Sequence, residues 1–158
     1  MFAGLRAKQR KLCDGLREVT LTHVNAVRED GTGAYKGNVF SDSPALATVT
    51  LEYVDFVGAE AFRGCKVLRS LTMSNVGTIC RSSFAYCDSL NELALDGVTM
   101  SGGTEFLSCT GLETVTLKNM DVDTCAFSDC TSLKTVTMEN IGTIGQQAFA
   151  DYRGGDAT

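Results

Sequence analysis

Tryptophan is absent from this 158-residue chain, and proline (Pro44) and histidine (His23) occur once each. A single histidine cannot complete a tetrahedral zinc site, and it leaves most cysteines without the basic neighbour that a thiol nucleophile needs. The seven cysteines include no C-x-x-C pair, so zinc-ribbon and dithiol redox chemistry lack their ligand spacing. No G-x-x-x-x-G-K-S/T phosphate loop exists, and Gly31-Thr32-Gly33 has no strand-to-helix context. No apolar run approaches the roughly 18 residues of a membrane span. With 14 Lys+Arg against 19 Asp+Glu, a net charge of −5 and no basic stripe, nucleic acid is not an expected partner. The segment Met1–Leu12 carries charge without an apolar core, unlike a secretory signal, and the cysteine count is odd. Both features point to a reducing, intracellular compartment, cytoplasmic or organellar, ahead of a secreted one.

What the chain does have is a beat. Phe40, Phe62, Phe84, Phe106, Phe127 and Phe149 stand 22, 22, 22, 21 and 22 residues apart. Leu46, Leu68, Leu90, Leu112 and Leu133 keep the same phase, and Cys65, Cys87, Cys109 and Cys130 follow the rings. Such regularity predicts a stack of nearly identical coils, each burying the apolar face of its neighbour. Four cysteines in one phase read as buried structural thiols.

Within a coil, the pattern Leu-x-x-(Val/Leu)-x-(Leu/Met) recurs at 46–51, 68–73, 90–95, 112–117 and 133–138 and predicts a short half-buried strand. Asn75, Gly97, Asn119 and Asn140 follow as corners, since these residues tolerate a left-handed backbone. A second inward pair (Val76 and Ile79; Ile141 and Ile144) and a short helical or 3₁₀ turn carrying Phe84 and Cys87 complete the unit. The fifth coil is one residue short between Met120 and Phe127. The expected domains are an N-terminal capping helix (1–15, apolar face Phe2, Leu5, Leu12, with Leu16 continuing it), a solenoid (16–152, loop insertion 28–38) and a tail (153–158). The strand edge 133–138 has no closing element after it, so the expectation is either that the chain is a fragment or that a partner covers this edge.

The signature Ala-Phe-x-x-Cys-x-x-Leu-x-x-Val-x-Leu, seen best at Ala61–Leu68 and Ala126–Met138, resembles the BspA-type leucine-rich repeats. The resemblance implies an α/β, right-handed leucine-rich-repeat solenoid of about six coils of 22 residues. Its parallel sheet would occupy one face, with short helical turns opposite. It leaves two functional expectations: an intracellular interaction module, or a surface adhesin.

Candidate binding residues follow from the outward side of the strands. One row contains Thr48, Ser70, Glu92, Thr114 and Thr135; the next contains Thr50, Thr72, Thr116 and Thr137. Exposed Thr also simply suits a strand, so its β-branched shape competes with binding as the explanation. Tyr53, Phe56 and Tyr86 stand where other coils have small or polar residues, and so are candidate interface anchors. The Thr-x-Thr ladder resembles that of ice-binding solenoids, although Glu92 and Ala94 interrupt it. Asp121 and Asp123 read as solvated turn charges. No catalytic set, cofactor or metal is expected. The reading is a non-catalytic protein-interaction scaffold, or a small subunit of a larger intracellular assembly.

Overall fold

A computed structural model describes residues 14–27 and 38–150. Seven strands follow one another: β1 (Glu18–Val27), β2 (Thr48–Val57), β3 (Ser70–Cys80), β4 (Glu92–Asp96), β5 (Thr99–Ser101), β6 (Thr114–Val122) and β7 (Thr135–Ile144). They form six rungs of a parallel β-solenoid, with β4 and β5 sharing the fourth. Four turns, β2 to β3 through β6 to β7, are described without a gap. All pairings are parallel.

The strands run further than the periodicity predicts, because they bend through the corner instead of ending there. His23, Tyr53, Asn75, Gly97, Asn119 and Asn140 all have φ between 51° and 64° at that bend. Asn140 Nδ2 donates to Asn119 Oδ1 (2.9 Å) and Asn119 Nδ2 to Asp96 Oδ1 (2.7 Å), tying adjacent corners together.

The interior is a single column. Successive rings from Phe40 to Phe149 stack with centroids 5.1, 5.1, 5.4, 5.3 and 5.2 Å apart, within the favourable range for aromatic pairs. Leu46, Leu68, Leu90 and Leu112 are fully buried beside it. The thiols of Cys65, Cys87, Cys109 and Cys130 donate to the carbonyls of Phe40, Phe62, Phe84 and Phe106, at 3.2, 3.4, 3.3 and 3.3 Å. Each cysteine thus satisfies a buried acceptor of the coil before it.

Two expectations need correction. No helix occurs among the described residues, so the architecture there is all-β rather than α/β. The segments opposite the first-half ladder are isolated turns closed by bonds such as Ala61 N–H to Gly58 O and Arg63 N–H to Glu60 O. They cannot wind into a helix, because Glu60, Gly64, Ser82, Tyr86, Thr104 and Ser108 take positive φ every few residues. The capping helix (through residue 13), loop insertion (through residue 37) and tail (153–158) lie outside the described residues.

Candidate functional site

The outward rows form as the alternation predicts, but in two pieces. Thr48 pairs with Ser70 and Thr50 with Thr72 in one sheet (β1-β2-β3-β5). Glu92, Thr114 and Thr135, then Ala94, Thr116 and Thr137, align in a second sheet (β4-β6-β7). The Thr-x-Thr copies therefore do not make one continuous array. Lys118 bridges to Glu139 (2.7 Å) and Lys134 to Glu113 (2.9 Å) along the second sheet. Both pairs are exposed and so contribute little to stability.

The division falls at coil four. In coils two, three and six the second inward residue comes four positions after the corner (Val57, Ile79, Ile144). In coil four it comes after three, at Met100, which pairs with Ile79 at a spacing of 21 residues. The first half of the coil has a spacing of 22, from Leu71 to Leu93, a one-residue difference of the kind that β6 and β7 absorb with an irregularity between Met120 and Val122. Coil four keeps its second half on β3, through β5, and its first half on β6, through β4.

The residue lost at the corner is regained at Gly102–Gly103, with φ of 106° and 75°. A Cβ at Gly103 would meet Thr124 O at 2.6 Å. Coil five has no matching residue, and the Asp123 side chain fills the gap, its Oδ2 accepting from the N–H groups of Gly102 (2.9 Å) and Gly103 (3.0 Å). Asp121 acts toward coil six, its Oδ1 accepting from Thr143 N–H (2.6 Å) and Oγ1 (2.9 Å). The two carboxylates read as solvated turn charges are instead splints on either side of the short coil.

The sequence reading passed over Glu105. It holds the position before the ring that is Ala61, Ala126 or Ala148 elsewhere, and it is fully buried. Its Oε1 accepts from Gly103 N–H (3.0 Å), while its Oε2, like Ser83 Oγ in the adjacent coil, has no partner. Burial, reinforced by the Asp123 charge, pushes its carboxyl up to about 7. The departure from Ala at a fixed phase was the available signal.

Tyr53 is 48% exposed and stacks on His23 with centroids 4.8 Å apart, and Phe56 is half-buried on the same strand beyond the corner. Tyr86 lies in the turn after β3, where the Arg63 guanidinium sits 4.9 Å from its ring centroid. Tyr53 and Phe56 thus share β2, while Tyr86 lies in a turn of the next coil. Val136, Met138 and Ile144 on β7 are 36, 38 and 55% exposed, and β7 pairs only with β6 among the described residues.

Burial pushes the thiols of Cys65 and Cys130 up to about 12. Cys109 is raised by its hydrogen bond to Cys87 and by burial, and Cys80 by burial and then by the Glu105 charge. Raised thiols are poor nucleophiles. The six described cysteines are free, and no group of three His, Cys, Asp or Glu among the described residues could hold a metal. No described helix is long and apolar enough to cross a membrane.

A parallel solenoid with buried Leu and Phe columns and an exposed strand face has the architecture of a leucine-rich-repeat protein. Residues 35–154 match the BspA type leucine rich repeat region in six copies, and the chain belongs to that family. It is similar to a leucine rich cell surface protein from Faecalibacterium prausnitzii, with 26% identity, a TM-score of 0.59 and 72% of this chain covered. The chain spans 31% of that protein's length. A T. pallidum leucine rich repeat protein shares the fold at 18% identity and a TM-score of 0.50, over 90% of this chain and 81% of that one. No curated protein sequence matches the chain.

Proposed function

We propose that this chain is a non-catalytic protein-interaction module that meets its partner through the hydroxyl-rich first-half ladder. The observation that carries this is the alignment of Thr48, Thr50, Ser70 and Thr72 in one parallel sheet, and of Thr114, Thr116, Thr135 and Thr137 in the other, into outward rows. Repeat solenoids commonly bind along such faces. The exposed apolar edge of β7 supports a covering protein partner as well, and Tyr53 is the most exposed aromatic anchor.

The test compares proteins captured from the source cell by the wild type and by Thr50→Lys/Thr72→Lys/Thr116→Lys. Loss of a partner from the triple variant alone supports the face; equal capture by both refutes it.

A cell-surface role is the second reading, favoured by the F. prausnitzii protein. The free buried thiols favour an intracellular scaffold instead. Protease shaving of intact cells separates the two: digestion of the protein places it outside, protection inside.

A further inference from the structure

The two end strands of the solenoid are not equivalent. On β1 the inward residues Val19 and Val27 are 6 and 4% exposed, whereas their counterparts on β7, Val136 and Ile144, are 36 and 55% exposed. Met138 is 38% exposed, against 0% for Leu117, its partner on β6. The last described coil leaves its part of the core bare, and the free edge of β7 runs along it.

That edge has a defined pattern. Thr135 N–H bonds to Glu113 O, on the side of β6. Main-chain groups of a strand alternate in direction, so those of Val136 and Met138 point away from β6, to the free side. Their side chains belong to the inward rows, in register with Val115 and Leu117. Thr135, Thr137 and Glu139 are exposed on the outward side. Lys134 precedes the strand, and Glu139 ends its straight part before the bend at Asn140.

We propose that β7 pairs with β7 of a second copy of this chain, antiparallel about a two-fold axis through Thr137. The inference rests on the interaction-module reading and names the partner that covers this edge. Only this register sets Val136 opposite Met138 of the second copy, and it joins the two through their free N–H and C=O groups. Both apolar side chains stay on the inward side, so the bare coil ends close on each other. Thr135 then faces Glu139 of the second copy, and Lys134 comes beside it, so unlike charges meet at both ends of the strand. A head-to-tail stack of copies would need a bare edge on β1 as well. Val19 and Val27 are already buried, so a closed pair follows rather than a filament.

Sedimentation velocity of the full chain at micromolar concentrations should show a species of twice the chain mass. Thr137→Lys puts like charges face to face at the axis and should weaken the dimer at least tenfold. Thr135→Lys meets Glu139 of the second copy and should leave the dimer intact or tighten it. Both positions are exposed, so neither change disturbs the core of one copy. Oxidised glutathione should crosslink Thr137→Cys into a dimer and leave Ser70→Cys, exposed on β3, a monomer. A monomeric wild type overturns the pair, whether its Val136 and Met138 amides exchange slowly, covered by a segment of the same chain, or fast. A dimer indifferent to Thr137→Lys forms through another surface and overturns it too. The capture experiment changes residues off β7, so the two proposals fail separately.

Discussion

The ring column and the strand face are built from the same 22-residue beat, yet one runs unbroken through coil four and the other does not. Stacked rings respond to the position of one residue per coil, and Phe84 to Phe106 keeps its spacing at 5.4 Å between centroids. A hydrogen-bonded ladder responds to every residue between. A deletion after Gly97 compensated by an insertion at Gly102–Gly103 is invisible to the column, while on the surface β3 pairs with β5 and not with β4. Continuity of a solenoid core therefore does not guarantee continuity of its surface.

The harshest way to break the contrast is to attack the column. Phe84→Ala or Phe106→Ala should cost about 3–5 kcal/mol, since each leaves a cavity between two rings with little room to collapse. Chemical denaturation would show it, and a loss below about 1 kcal/mol would mean that the column does not hold the stack.

Next is Glu105, the charge inside the column's wall. Its folded-state value of about 7 lies above the ordinary 4.5. Folding is thus favoured while the group is protonated, and this contribution is present below pH 4.5 and lost as pH rises through 7. The loss is on the order of 3 kcal/mol at 1.36 kcal/mol per pH unit. Glu105→Ala, which installs the residue of other coils, should raise stability at pH 8 by roughly that amount and change little at pH 4. Gly103 N–H keeps Asp123 as an acceptor. A pH-independent effect of the substitution would refute the assignment.

Asp123→Ala should cost about 1–3 kcal/mol by removing the charged acceptor of the Gly102 amide, with Gly103 N–H still held by Glu105, more than the near-neutral outcome expected of a solvated charge. The mildest test is hydrogen exchange. Those amides of 70–74 and 92–96 that point across the β3–β4 junction should exchange at least tenfold faster than the amides of 48–52 and 114–118, which have a paired strand on both sides. Uniform protection would mean that β3 and β4 are paired in solution.

The column was legible in the sequence because Phe, Leu and Cys are large, buried and strictly phased. The corners were legible because Asn75, Asn119 and Asn140 tolerate positive φ; His23 and Tyr53 at the same bend carry no such signal. The division at β3 was not, since equal Leu and Phe spacings conceal a shift that begins and ends between them. The turns were misjudged as helical because hydrophobic phase says nothing about the alternating sign of φ that Glu60 and Gly64 impose. Thr rows were readable as rows; their division depended on a register that only the backbone reveals.

The thiol of Cys87 donates to a carbonyl 25 residues upstream, and the other three column thiols reach back 24 or 25. On the ribosome, each newly emerged coil therefore waits for its successor before its hydrogen bonds are complete. Synthesis and folding share one direction, and the growing tip is at every moment the least finished part of the chain.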